Sequence, residues 1–148
     1  MNITVRKAQI QDIPSLLVMN EALQDIAAPN GPAATVEWMT ESLENNKNEI
    51  VLVAIHNGKA IGFACGLMYR SVCYSDGLQG ELTELYVCSE YRKKGVATNL
   101  VEQVEREFAR NNVHDIIIKT GIENKAAQRV YESCGYEDYE EVVYHKEI

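Results

Sequence analysis

The 148 residues include no run of about 18 apolar positions, the least a membrane-spanning helix needs, and Met1–Lys7 leads into no apolar secretion segment. The expectation is a cytoplasmic chain without a membrane partner. Cysteine is scarce: Cys65, Cys73, Cys88 and Cys134 form no C-x-x-C pair and sit near no histidine cluster. That spacing offers neither a zinc site nor a thioredoxin motif, so no metal is expected and the thiols are read as reduced core residues. Positive charge is in deficit, with 14 Lys and Arg against 22 Asp and Glu and a net charge of −8. Such a field repels a polyphosphate backbone, which argues against a nucleic-acid partner and favours cationic small molecules or basic peptides. The chain also lacks Gly-Lys-Ser/Thr and G-x-G-x-x-G, so ATPase and dinucleotide-dehydrogenase readings fail.

What is present suits one α/β domain over residues 1–148, with 46% hydrophobic and 24% charged residues. Alternation predicts a strand over Asn2–Ala8. Asp12 and Pro14 open a helix to about Asp25 that carries Ile13, Leu16, Leu17 and Leu23. A breaker cluster at residues 27–32 precedes a short helix over Thr35–Glu44, with Val36, Met39 and Leu43 turned inward. Strands Glu49–His56 and Lys59–Tyr69 flank Asn57-Gly58, a strong hairpin signal. After a polar loop over Ser71–Gly80 come a strand (Glu81–Cys88), a helix (Gly95–Arg110), a strand (Asp115–Thr120), a helix (Asn124–Cys134) and a closing strand (Tyr139–Lys146). The order indicates an α/β fold with a mixed sheet.

Two segments carry chemistry. In the first, Leu85-Tyr86-Val87 ends a strand and Arg92-Lys93-Lys94-Gly95-Val96-Ala97-Thr98 turns into a helix. Free backbone N–H groups at such a helix start, with the helix dipole and three cations, suit an anion such as pyrophosphate, and Gly95 allows close approach. A solvated basic turn is the plainer alternative. In the second, Asn124 caps a helix, Ala127 and Tyr131 share a face, and Gly135 ends it before Tyr136. Read alone, Tyr131 is an ordinary half-buried aromatic.

Together, R-x-x-G-x-A and N-x-x-A-x-x-x-Y-x-x-x-G-Y closely resemble the GNAT N-acetyltransferase superfamily, and the likeness covers nearly the whole chain. Ala97 stands where many members carry a second glycine. The resemblance implies a single-domain fold with a mixed, mostly antiparallel sheet, central parallel strands that splay, and flanking helices. It implies acetyl-CoA as cosubstrate: Leu85, Tyr86 and Val87 along the pantetheine, the Val87 N–H on the thioester carbonyl, Arg92 and Lys93–Thr98 on the pyrophosphate, and Asn124 on the pantetheine arm. Tyr131 falls at the position of the general acid. Glu81 and Glu84 both match positions where branches of the family keep a carboxylate. Simple alternation sets them on opposite faces, but the family often bulges this strand, which leaves the base open between them.

For the acceptor, the resemblance directs attention to Asp25–Ala34 and Arg70–Gly80. Trp38 and Tyr74 are candidate pocket walls; Glu21, Asp25 and Asp76 are candidate partners of an ammonium group. With the net charge they favour a cationic amine, either a small molecule of aminoglycoside or polyamine type or an amine of a peptide. A sensor that binds acetyl-CoA without turnover is the alternative of a different class. The tyrosine-rich closing strand offers an edge for a homodimer.

Overall fold

A computed structural model describes residues 1–70 and 78–148. The opening strand is β1 (Thr4–Lys7), shorter than its alternation predicts. A single 3-10 turn leads into α1 (Ile13–Ala27), where Pro14 occupies the first helical turn and its missing N–H costs nothing. Asp12, at this junction, is buried and takes two hydrogen bonds from Arg6, at 2.7 and 3.0 Å, and one from the Gln9 N–H at 2.7 Å. The Arg6 hydrogen bond is the chief cause that holds its carboxyl below the usual range. This clamp ties β1 to α1.

Helix α2 (Val36–Glu44) starts where the Thr35 hydroxyl accepts from the Trp38 N–H. Of its expected inward positions, Met39 is buried and Leu43 half-buried, but Val36 is 52% exposed. A first-turn residue beyond the reach of the sheet has nothing to pack on. The hairpin β2 (Glu49–His56) and β3 (Lys59–Tyr69) forms with the expected bounds, and Asn57 and Gly58 both take positive φ, as a tight two-residue turn requires.

Next come β4 (Leu78–Val87), α3 (Val96–Arg110), β5 (Val113–Ile118) and α4 (Lys125–Ser133). Strand β4 begins three residues before the expected Glu81, and Gln79, the polar residue of that added stretch, finds partners for its buried amide: Nε2 donates to the Gly80 and Asp115 carbonyls. Strand β5 likewise starts at Val113 and stops at Ile118, short of Thr120. The sheet runs β1-β2-β3-β4-β5, antiparallel throughout except for the parallel β4–β5 pair. This is the mixed, mostly antiparallel sheet expected.

The expected closing strand over Tyr139–Lys146 is absent, and residues 137–148 adopt neither helix nor strand. Val142, Val143 and Tyr144 are exposed. Strand-prone sequence becomes a strand only where it pairs through its N–H and C=O groups with an edge, and among the described residues this segment is paired with neither outer strand of the sheet, β1 or β5.

The sheet has a core on each face. One side packs Leu100, Val101, Val104 and Phe108 of α3 on Ala64, Leu82 and Val87. The other packs Ile13, Leu16 and Met19 of α1 and Met39 of α2 on Val53 and Phe63. Phe108 fits because two strand positions have no side chain: a Cβ on Gly66 would lie 2.7 Å from its ring, and one on Gly80 3.1 Å away. Val96, Leu100, Val101, Val104 and Phe108, which helical spacing puts on one face of α3, are all buried.

Candidate active site

The parallel pairing of β4 and β5 runs from Leu78–Val113 to Leu82–Ile118 and ends there. Beyond it β4 continues alone on that side through Val87. The two strands part, and the backbone of Thr83–Val87 faces a gap. Which groups point into it follows from the antiparallel register. The Cys88 N–H bonds to the Ile61 carbonyl at 2.9 Å, so the neighbouring pair Val87–Gly62 is a non-hydrogen-bonded one, as is Leu85–Ala64. The N–H and C=O of Leu85 and Val87 therefore point away from β3, toward the gap. The Val87 carbonyl is taken by Arg92, whose Nε donates at 2.9 Å while its guanidinium lies 5.6 Å from the Tyr86 ring centre. The Val87 N–H is left facing the gap.

The turn after β4 has the geometry its sequence anticipates. Lys93 and Gly95 both hold left-handed backbone, at φ 60° and 82°. The first α3 hydrogen bond runs from the Asn99 N–H to the Gly95 carbonyl, and no side chain caps the helix. The N–H groups of Val96, Ala97 and Thr98 thus have no partner within the helix. A Cβ on Gly95 would meet nothing within 4 Å, so the space above the turn is open. Arg92, Lys93 and Lys94 are exposed around it. Donors, dipole and cations converge on one open surface, the arrangement an anion needs.

On α4, Asn124 uses its side chain as the helix cap, accepting from the Ala127 N–H at 3.2 Å. Gln128 reaches back to the Gly121 and Ile122 carbonyls, both at 3.0 Å, and fixes the approach to the cap. The helix closes as expected: Gly135 is left-handed, with its N–H on the Glu132 carbonyl and that of Tyr136 on the Tyr131 carbonyl, both 3.0 Å. Tyr131 is half-buried on the α3-side core, and burial is the main cause that raises its hydroxyl pKa above the usual value.

The β4 carboxylates show what alternation alone misses. The β3–β4 register slips between Cys65 and Gly66: Glu84 sits opposite Cys65 and Leu82 opposite Gly66, so Thr83 is an extra residue. Glu81 pairs with Leu67 and Glu84 with Cys65. Since 65 and 67 share a face, so do Glu81 and Glu84. That face is the one covered by α1 and α2. Glu49 lies on it too, opposite Leu67, and burial together with Glu84 and Glu49 pushes the Cys65 thiol well up. The two glutamates differ in setting. Glu81 lies within the closed β4–β5 pairing, with Oε1 3.1 Å from the Lys119 ammonium. Glu84 lies two residues past the last pair and bonds the Thr83 hydroxyl.

Of the expected acceptor residues, Glu21 and Asp25 are exposed on α1, and Trp38, 57% exposed, stands out on α2 rather than joining the core. Tyr74 and Asp76 lie outside the described residues. The ion pair Lys119–Glu81 and the Arg6–Asp12 clamp have no signal in the sequence, because each depends on where folding brings the partners. Among the described residues, no helix is long and apolar enough to cross a membrane, and no group of three or more His, Cys, Asp and Glu is placed to hold a metal.

Residues 19–136 match the model of the acetyltransferase (GNAT) family, a stretch that takes in the parted strands, the basic turn and α4. The chain belongs to this family of acetyl-CoA-dependent N-acetyltransferases. Among its relatives, the aminoglycoside N(6′)-acetyltransferase type 1 of Salmonella typhimurium (strain LT2) is 28% identical over 98 residues, which span 64% of this chain and 66% of that protein. The enzyme of the same name from Acinetobacter genomosp. 13 is 30% identical over 129 residues, or 84% of this chain and 86% of its own. A solved structure of AAC(6′)-Iy in complex with the bisubstrate analogue CoA-S-monomethyl-acetylneamine shares the fold. Its TM-score is 0.80 at 22% identity, over 100% of this chain and 99% of that one.

Proposed function

We propose that this chain, acting as one domain over residues 1–148, transfers the acetyl group of acetyl-CoA to a primary amine of a cationic small molecule, with the aminoglycosides acetylated by its relatives as the leading class. The observation that carries the reading is the side-by-side placement of an open, donor-lined strand gap and a face bearing Glu49, Glu81 and Glu84. The first accepts a thioester arm; the second attracts an ammonium group.

In this reading the Leu85 and Val87 backbone groups pair with the pantetheine amides, with Tyr86 alongside. Arg92, Lys93, Lys94, Gly95, Val96, Ala97 and Thr98 hold the pyrophosphate, and Asn124 flanks the arm. The Val87 N–H receives the charge that develops on the thioester oxygen as the amine nitrogen attacks. An amine with a pKa of about 10.4 must first lose a proton, which costs about 4–5 kcal/mol at neutral pH. Glu84 is the base that fits, since it stands in the parted region and bears no cation partner among the described contacts. Glu81 is held by Lys119. As the C–S bond breaks, the Tyr131 hydroxyl gives its proton to the departing thiolate, and its upward-shifted pKa keeps that proton on at neutral pH. Glu21, Asp25 and the exposed Trp38 ring line the acceptor approach, and Tyr74 and Asp76 remain candidate acceptor residues on residue type alone.

The reading includes a cytoplasmic setting, in keeping with free Cys65, Cys88 and Cys134. It also includes a homodimer built on the exposed Val142–Tyr144 run, to be checked by light scattering on the purified chain.

The deciding experiment measures release of CoA thiol from acetyl-CoA against aminoglycosides, polyamines and lysine-containing peptides, with calorimetric acetyl-CoA binding in parallel. Turnover on aminoglycosides is expected. Turnover on peptides alone would move the acceptor to that class, and tight binding without turnover on any amine would favour a sensor. Absence of binding would overturn the reading.

A further inference from the structure

Thr83 and Glu84 are consecutive on β4, and in a regular strand consecutive side chains stand on opposite faces, out of reach of each other. Here they touch: the Thr83 hydroxyl donates to Glu84 Oε2. The bulge is what allows it. Glu84 stands opposite Cys65 and Leu82 opposite Gly66, so Thr83 has no opposite residue on β3 and departs from the alternation of the strand. The same hydroxyl lies 3.3 Å from the carbonyl oxygen of Cys65, the residue that pairs with Glu84.

A threonine hydroxyl carries one hydrogen and serves only one of these acceptors at full strength. An ionised carboxylate is the stronger acceptor, so the hydrogen goes to Oε2 when Glu84 is ionised, and the Cys65 carbonyl takes the weaker branch of a three-centre bond. That carbonyl belongs to the sheet, and it ties the position of the hydroxyl to the backbone of β3. Thr83 is exposed and Glu84 half-buried, so water would serve the hydroxyl as well for the purpose of folding. What water would not do is orient the carboxylate. A glutamate side chain is long and rich in rotamers, and a bond to one oxygen restricts where the other can stand.

We propose that Thr83 is a positioning residue, whose hydroxyl tethers Glu84 Oε2 so that Oε1 meets the ammonium group of the acceptor at a set place in the gap between β4 and β5. The inference rests on the role given to Glu84 above. The proton passes from the ammonium nitrogen to Oε1, and the electron pair of the broken N–H bond stays on nitrogen. The products are a neutral amine and a neutral carboxylic acid. Oε2 is then the carbonyl oxygen of that acid and still accepts from Thr83, whose own hydrogen never leaves. In this role Thr83 contacts neither the amine nor acetyl-CoA. Proton removal depends on where the base stands, while cofactor affinity resides in the turn and the strand backbone, so the tether acts on kcat and leaves KM for acetyl-CoA alone.

The test uses the full chain and the best acceptor of the amine panel, assayed well below the melting temperature of every variant. Thr83→Val keeps the branched shape and loses the hydroxyl; Thr83→Ser keeps the hydroxyl. Thr83→Val is expected to lower kcat about tenfold, the worth of one hydrogen bond to a charged group, with KM for acetyl-CoA within about twofold of the parent. Thr83→Ser should stay within about twofold of the parent in kcat. In a Glu84→Gln background, already slow, adding Thr83→Val should change the rate by less than about twofold, because nothing is left to position. If Glu84→Gln is slow but Thr83→Val turns over like the parent, the tether is refuted while the reading of Glu84 stands. A Thr83→Ser variant as slow as Thr83→Val would refute it too, as would a further tenfold loss on adding Thr83→Val to Glu84→Gln. An unchanged rate in Glu84→Gln would remove the reading of Glu84 as the base, and the tether with it.

Discussion

Replacing Gly95 separates the two reasons for a glycine at the head of α3. Its φ of 82° is left-handed, and any side chain there costs about 1–2 kcal/mol of backbone strain. The space itself is free, with no atom within 4 Å of where a Cβ would lie, so no further loss of stability arises from packing. For a chain of 148 residues this corresponds to a fall in Tm of about 3–8 °C, the same for Gly95→Ala and Gly95→Glu. Cofactor binding should separate them. At an effective dielectric constant of about 20–40, a carboxylate about 5 Å from a phosphate costs about 1.7–3.3 kcal/mol. That is about 20- to 250-fold in Kd for acetyl-CoA in Gly95→Glu, with a far smaller loss in Gly95→Ala. Calorimetric titration with acetyl-CoA, paired with thermal melts, reads both quantities on the same samples. A Gly95→Glu variant that binds within about threefold of the parent would refute the assignment of the turn to the pyrophosphate. Equal affinity losses in the two variants would refute the electrostatic part of the argument.

Gly66→Ala should cost about 1–3 kcal/mol, because its Cβ would fall 2.7 Å from the Phe108 ring; a urea melt within about 0.5 kcal/mol of the parent would contradict that packing. Asp12 has its pKa lowered mainly by the Arg6 hydrogen bond, so its contribution to stability is present above the unfolded value of about 3.9 and is lost as pH falls through the folded value. Asp12→Asn should therefore melt earlier than the parent at pH 7, with the difference shrinking as the pH drops below about 4; a gap that stays constant would exclude the clamp. Glu84→Gln should reduce kcat about 100-fold or more, and Glu81→Gln far less; the reverse order in a steady-state assay would move the base to Glu81.

Much of this molecule is legible along the chain. The hairpin is announced by Asn57-Gly58, whose two residues tolerate the positive φ a tight turn demands, and its strand bounds hold to the residue. The inner face of α3 follows from helical period, and the left-handed basic turn and the end of α4 follow from Gly95 and Gly135, since both needs are local. Local chemistry of this kind determines element type and the backbone of the turn by itself.

Other features were decided only when distant segments met. Whether residues 139–146 form a strand depends on pairing with an edge, and among the described residues they pair with neither β1 nor β5, the two outer strands. The face shared by Glu81 and Glu84 depends on one bulged residue, Thr83, whose cause is the mismatch between β3 and β4 and not the composition of either. Lys119 neutralises Glu81 and Asp12 locks to Arg6 because folding brings them within reach, and pairing of charges carries no periodic signature. Sequence alone thus determines the turns and the inward helix faces; the tertiary structure decides whether a strand-prone segment finds a partner and that Glu81, not Glu84, is ion-paired beside the gap between β4 and β5, because hydrogen bonds and ion pairs form between neighbours in space.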